Sequence, residues 1–328
     1  MATGVTNTSG WQPAASLAAL ESRAHQLAWV RGFFAQRGVM EVETPVLGRY
    51  GVTDTNIESI AASPAPVAGS STGAWLQTSP EYHMKRLLAA GSGPIYQVAR
   101  VFRDGEFGRR HNPEFSLLEW YRPGFTDDDL MAEVSELVCG WLGCETPGRL
   151  RYREAFLRFA GIDPFLASDR ELSAACEQWL EPAQLQAFTR DDCLDLLMSY
   201  QVEPALADFG PVFVTGYPKS QAALARVSEQ DGLLQAHRFE LYVQGIELCN
   251  GYWELTDGEE QRRRFVADNQ ARLAAGKPEM PVDQAFLAAL DSGVPDCSGV
   301  ALGLDRLLML KLGLESLAGV IAFPADRA

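Results

Sequence analysis

From Ser16 to Arg37 the apolar residues Leu17, Leu20, Ala24, Leu27, Val30, Phe33 and Phe34 recur at helical spacing, and Gly38 closes the run. The spacing predicts an amphipathic helix. The next segment, VMEVETPVL, alternates and ends beyond Pro45, which predicts a strand leaving into a turn. In TSPEYHMKRLLAAGSG, Ser79 is placed as N-cap, Pro80 at the first helical position, Glu81 in the first turn and Gly91 at the end, so a short helix is expected. PIYQVARVFRD and NPEFSLLEWYR read as two strands joined by a polar, glycine-containing loop. Helices are expected at Asp127 to Leu142, Asp169 to Leu180 with Ser168 as N-cap, and Asp191 to Tyr200. Strands are expected around Val212 to Thr215 and from Arg238 to Asn250, followed by a polar helix from Gly258 to Ala275. The run SGVALGLDRLLMLKLG predicts a strand turning into an amphipathic helix. Strands interleaved with helices, without regular βαβ alternation or internal repeats, imply an α+β domain on an antiparallel sheet flanked by helices.

Composition narrows the function. The 328 residues are 47% hydrophobic and 22% charged, an ordinary globular mixture. A formal net charge of -15 argues against non-specific binding along nucleic acid, because each phosphate contact needs a local cation. The first fourteen residues lack the basic start and apolar run of a secretory signal, and no stretch is long enough to span a bilayer, so a cytoplasmic location is expected. Six cysteines without C-x-x-C pairing read as reduced, mostly buried thiols rather than a zinc site or disulfide framework.

Against this acidic background, FRDGEFGRRHNPEFSLLEWYRP gathers Arg103, Arg109, Arg110 and His111 at and beside the hairpin loop. They are suited to present cations to an anionic ligand, although alone they also fit a solvated hairpin tip. In GIELCNGYWELTD, Glu247 and Glu254 stand seven residues apart with Asn250 between them. Two such carboxylates suit magnesium beside a polyphosphate, or are two unrelated acids. GLDRLLML places Arg306 at a helix start, where backbone N–H groups and a guanidinium hold phosphate jointly; by itself it fits any helix start.

In this order the three segments resemble the signature motifs of class II aminoacyl-tRNA synthetases: FFAQRGVMEVETPVL, FRDGEFGRRHNPEFSLLEWY and GVALGLDRLLML. TSPEYHMKRLL, RHNPEFSLLEWY and ELCNGYWELTD resemble the lysyl type. With the first motif beginning at Phe33, no anticodon-binding barrel has room before it. The chain is thus expected to be an arm at 1–15 and a class II synthetase-like catalytic domain at 16–328 without that barrel. This arrangement, with PDCSGVALG and VIAFPADRA, resembles the elongation factor P (R)-β-lysine ligase family.

The resemblance implies an antiparallel sheet flanked by helices, a homodimer formed through motif 1, and ATP with Mg2+ as cofactors. It implies activation of (R)-β-lysine as an adenylate and transfer to a lysine of elongation factor P, without stable tRNA binding. Arg103 and Arg306 would be catalytic, on the α-phosphate and γ-phosphate. Phe115 would stack on adenine, with His111 and Asn112 nearby and Asp104, Gly105, Glu106, Leu248 and Gly303 completing the ATP site. Glu247 and Glu254 would bear on magnesium. Ser79, Pro80, Glu81, Glu119, Tyr121, Asn250, Glu254 and Ala301 would form the amino-acid site.

Two positions depart from the synthetase pattern. Gly105 stands where the synthetases carry an adenine-reading glutamate, with Glu106 next, and Ala301 stands where lysyl-tRNA synthetases usually have glycine. One methyl in a tight pocket discriminates by roughly 1–3 kcal/mol, so Ala301 is expected to disfavour α-lysine relative to β-lysine. Two other functions stay open on the sequence: charging a tRNA without reading its anticodon, and a silent paralogue that senses an amino acid.

Overall fold

The hairpin between Pro94 and Arg122 supplies two adjacent strands of a large sheet in the computed structural model, which describes residues 10–63 and 73–328. The sheet comprises β1 (Met40–Glu41), β2 (Ile95–Phe102), β3 (Glu114–Pro123), β4 (Gly148–Arg151), β5 (Val212–Pro218), β6 (Val227–Gln230), β7 (Leu233–Val243), β8 (Ile246–Trp253) and β9 (Cys297–Gly303). Its order is β1-β2-β3-β9-β8-β7-β5-β4, with β6 pairing β7. The inner pairings are antiparallel, as expected; the two outer ones, β1–β2 and β4–β5, are parallel. Leu47–Gly48, Ala61–Ala62 and Ala74–Leu76 form a separate small sheet. The principal helices are α1 (Leu17–Ala35), α2 (Glu81–Ala89), α3 (Asp127–Leu142), α4 (Asp169–Cys176), α5 (Arg190–Leu197), α6 (Gly258–Ala274), α7 (Gln284–Gly293) and α8 (Leu304–Lys311).

The period of two along each strand divides the sheet into faces. Leu118 and Trp120 of β3, Val300 and Leu302 of β9, and Phe239 and Leu241 of β7 turn to one side. There they pack with Val30, Phe33 and Phe34 of α1 and Leu130, Val134 and Leu137 of α3. Burial of each such side chain contributes about 1.5–3 kcal/mol. The helices beyond β4 cover the far end of the other face, where Tyr152, Phe156, Leu194 and Val202 meet Val212, Val214 and Tyr242. At the near end Tyr82 of α2 stacks on Phe286 of α7 at 4.6 Å. The middle of that face stays open.

Several expectations need adjustment. VMEVETPVL is not one strand: Met40–Glu41 joins β2, Leu47–Gly48 joins the small sheet, and Pro45, with no N–H to donate, lies in the break. α2 begins at Glu81, with Pro80 in the N-cap position, while the Ser79 hydroxyl still accepts from the Glu81 N–H at 3.0 Å. The helix from Asp169 stops at Cys176, and that from Arg190 passes at Met198 into a π-helical turn. The Arg238–Asn250 region is a hairpin turning at Gln244 and Gly245, both at positive φ. On α1 the buried face is Ala19, Gln26, Val30, Phe33 and Phe34, whereas Leu17 and Ala24 face outward. The helix α7, capped by Asp283, was not expected from the pattern.

The first nine residues of the expected arm lie outside the described residues; Ala14 donates to the Ala322 carbonyl at 2.7 Å. All six cysteines are free thiols, four of them buried. Among the described residues no helix is long and apolar enough to cross a membrane.

Candidate active site

Two rows of paired residues cross the open face. In one, Gln97, Glu119, Ala301, Asn250 and Glu240 are successive partners across β2, β3, β9, β8 and β7. In the next, Tyr121, Gly299, Tyr252 and Arg238 are partners in the same way. Adjacent strands lie about 4.8 Å apart, so the Ala301 methyl sits one strand spacing from both Glu119 and Asn250. A cavity of about 380 Å³ occupies this face.

Glu247 of β8 reaches the face only through a bulge. Asn250 pairs with Glu240 and Cys249 with Leu241, but Glu247 pairs with Tyr242, leaving Leu248 as an extra residue. The bulge reverses the alternation and turns Glu247 to the same face as Asn250 and Tyr252.

One end of the cavity is anionic. The Glu119 carboxylate, 2% exposed, accepts from the Ser79 hydroxyl at 2.9 Å and the Tyr121 hydroxyl at 2.7 Å. Glu254, equally buried, and Glu81 flank the Lys85 ammonium, each with an oxygen 2.6 Å from Nζ. Burial first, and then the Glu81 carboxylate, push the Glu119 carboxyl up to about 8. Burial likewise raises Glu254 to about 8, although Lys85 pulls the other way. The Asn250 side-chain Oδ1 is buried with no hydrogen-bond partner among the described residues, and Asn250 lines the same cavity. These are acceptors set for ammonium groups.

The other end is cationic. The Arg103 guanidinium lies over the Phe115 ring at 5.1 Å, and its Nη1 is 3.5 Å from Glu106. Arg306, at the start of α8, donates to the backbone carbonyl of Glu247 at 3.0 Å, to its carboxylate at 3.2 Å and to the carbonyl of Arg110 at 3.2 Å. Its Nη2 is 2.7 Å from His111 Nε2. A guanidinium only donates, so Nε2 accepts and the imidazole proton is on Nδ1. Burial and the neighbouring Arg306 lower the His111 pKa, which keeps the ring neutral. Desolvation and the Glu240 carboxylate raise Glu247, opposed by Arg306.

Most expected residues meet here. Ser79, Glu81, Arg103, Glu106, His111, Asn112, Phe115, Glu119, Tyr121, Glu247, Leu248, Asn250, Glu254, Ala301, Gly303 and Arg306 line the cavity. Pro80, Asp104 and Gly105 do not. Pro80 caps α2, and the Asp104 carboxylate accepts from the Gly105 N–H in a turn. Gly105 has φ +76° with open space around it, so a backbone conformation rather than a ligand requires glycine. Asn112 closes both of its ends on backbone, the Glu114 carbonyl and the Ala325 N–H, and so clasps the C-terminal segment. Glu247 and Glu254 are not brought together: one pairs with Arg306 and the other with Lys85, at opposite ends.

Residues beyond those read from the sequence also matter. Lys85, Glu240, Gly299 and Asp305 gave no local signal. Buried Asp305 accepts from Arg23 of α1 and from the Ser116 N–H of β3 at 2.7 Å, tying α1, β3 and α8 together. The Glu240 carboxylate accepts from Arg238, Tyr217 and Tyr242.

Comparison with known proteins agrees with this geometry. The family model for class II tRNA synthetases of the D, K and N type matches residues 12–327. A curated relative, the elongation factor P–(R)-beta-lysine ligase of Proteus mirabilis (strain HI4320), is 49% identical over 326 residues, covering 99% of this chain and all of the relative. The sheet, the three motifs on it and these matches together mean that the chain belongs to the class II tRNA synthetase family, of the D, K and N type.

Proposed function

We propose that the chain activates (R)-β-lysine with ATP as an aminoacyl-adenylate and transfers it to the ε-amino group of a lysine on elongation factor P. One juxtaposition carries the reading: a buried pocket of three carboxylates lies in the same cavity as a guanidinium pair. The first suits a diamino acid, the second suits a polyphosphate, and the amino-acid carboxylate would lie between them.

In the first half-reaction a carboxylate oxygen of the amino acid attacks the α-phosphorus. The bond to the bridging oxygen breaks, and pyrophosphate leaves with the electron pair. Arg103, resting on Phe115, meets the negative charge that builds on the α-phosphate oxygens. Arg306, fixed by Glu247, Arg110 and neutral His111, receives the terminal phosphate with little reorganisation. Phe115 offers a ring face to adenine, and Glu106 takes the adenine-reading role that Gly105 cannot fill. A cavity carboxylate beside two guanidinium groups fits magnesium carried in with the phosphates, held at Glu247; the ion would neutralise the departing pyrophosphate. In the second half-reaction the neutral ε-amine attacks the carbonyl carbon, AMP leaves with the bonding pair of the mixed anhydride, and the amine proton passes to solvent.

The exposed Leu17, Trp29 and Met40 on and beside α1 support a homodimer through this helix. The acidic surface suits a cytoplasmic enzyme without stable tRNA binding.

Intact-mass measurement of elongation factor P after incubation with this chain, ATP and (R)-β-lysine tests the reading. A gain of one β-lysyl unit is expected. An unchanged mass, with a labelled amino acid appearing on tRNA instead, would replace it with the tRNA-charging activity.

A further inference from the structure

Lys85 is 1% exposed and stands behind the pocket wall rather than in it. Its ammonium lies 2.6 Å from Glu81, one turn earlier on α2, and 2.6 Å from Glu254 beyond β8, under the Phe286 ring of α7 at 5.9 Å. Taking an ammonium out of water costs several kcal/mol, and a methionine would fill similar space without that cost. The charge itself therefore needs a cause.

We infer that Lys85 sets the charge of the amino-acid pocket. It cancels one of the three carboxylate charges of Glu81, Glu119 and Glu254, so that two remain once a substrate carrying two ammonium groups has displaced the protons that burial holds on Glu119 and Glu254. Lys85 is thus a positioning and specificity-determining residue that acts through the two carboxylates it holds. The inference rests on the diamino-acid reading of the site.

The other titratable groups facing the cluster leave this count unchanged. Burial raises the phenols of Tyr121 on β3 and Tyr252 on β8, and raises the Cys297 thiol on β9 to about 12, so all three stay neutral. Burial opposes the charge on Lys85, yet the Glu254 and Glu81 carboxylates outweigh it and hold the ammonium protonated. Without that cation three carboxylates would crowd one buried space. Losing the cation would raise these carboxyl pKa values further, so a further proton would have to be displaced before the substrate binds.

The test is ATP–pyrophosphate exchange with (R)-β-lysine, read between about pH 6.5 and about pH 9, for wild type, Lys85→Met, and Lys85→Met combined with Glu81→Gln. Lys85→Met is expected to raise the KM for (R)-β-lysine by about tenfold or more, leave the KM for ATP within about threefold, and move the acid limb of kcat/KM to higher pH. Adding Glu81→Gln returns the pocket to two carboxylates and is expected to recover most of that loss and the original limb. An unmoved limb in Lys85→Met, or a double variant worse than the single, overturns the inference while wild-type exchange upholds the function. If Lys85→Met does not fold, the double variant, which removes both members of a buried pair, decides alone by its pH profile: an acid limb of kcat/KM at the wild-type position supports the inference and a limb moved to higher pH overturns it. Absence of wild-type exchange overturns the functional reading, and this inference with it.

Discussion

Gly299→Ala places a single methyl at the most crowded point of the amino-acid pocket. A Cβ at this position would lie 2.3 Å and 2.4 Å from the Tyr121 ring and 2.5 Å from a Glu254 oxygen. Ordinary contact begins near 3.4 Å, so both neighbours must retreat by about 1 Å. Neither is free to do so. The Tyr121 hydroxyl is fixed to Glu119 at 2.7 Å, and Glu254 is fixed to Lys85 at 2.6 Å. A displacement of about 1 Å in positioning groups costs about 100-fold in rate. Overpacking of this kind costs about 1–3 kcal/mol of stability, which a domain of this size survives. The expected result in ATP–pyrophosphate exchange is a kcat/KM for (R)-β-lysine lowered by about 100-fold, with the KM for ATP within about threefold of wild type. A variant that keeps kcat/KM for the amino acid within about threefold would falsify the assignment of Tyr121 and Glu254 to the amino-acid site.

Three further outcomes are expected. Ala301→Gly removes the methyl between Glu119 and Asn250, and should shift the ratio of adenylation efficiencies toward α-lysine by about tenfold; an unchanged ratio removes Ala301 from specificity. Asp305→Asn removes the counter-charge of Arg23 and weakens the tie between α1, β3 and α8, so unfolding in urea should report a loss of about 3 kcal/mol, against less than about 1 for a surface pair. Glu119 and Glu254 carry folded pKa values of about 8, above the ordinary 4.5, so the folded empty protein binds more protons than the unfolded chain between those limits. Their contribution to stability is complete below about pH 4.5 and is lost as pH rises through about 8. Because a diammonium ligand favours their ionised forms, the thermal stabilisation by (R)-β-lysine should grow with pH across this window, and a pH-independent shift in melting temperature would contradict the assignment.

Much of this site was legible because it depends on local rules. Period two along β3 assigns Phe115, Glu119 and Tyr121 to one face and Leu118 and Trp120 to the other, whatever the rest of the chain does. The ends of α3, with the Thr126 capping box and left-handed Gly143, are similarly written in neighbouring residues. α1 was harder, because Leu17 and Ala24 keep the apolar period while Gln26 takes a buried place by donating to the Leu304 carbonyl at 3.0 Å. That choice is made by a partner 278 residues away.

The least legible feature was the one on which the cation end depends. Alternation back from Glu254 through Tyr252 and Asn250 arrives at Leu248, not Glu247, so strict pleating sends Glu247 into the core beside Cys249 and Leu241. The structure avoids this by giving β8 one residue more than β7 at Leu248. A bulge is defined by the residue count of two paired strands, so nothing in GIELCNGYW alone announces it. The seven-residue separation of Glu247 and Glu254, an odd number, requires such a shift if both acids are to face the same cavity. With that shift, the spacing keeps one carboxylate beside Arg306 and the other beside Lys85, with Asn250 between them in the wall. On the proposed function, the same strand thus serves both halves of the substrate pair, Glu247 beside the guanidinium that would meet phosphate and Glu254 among the acids that would meet the ammonium groups.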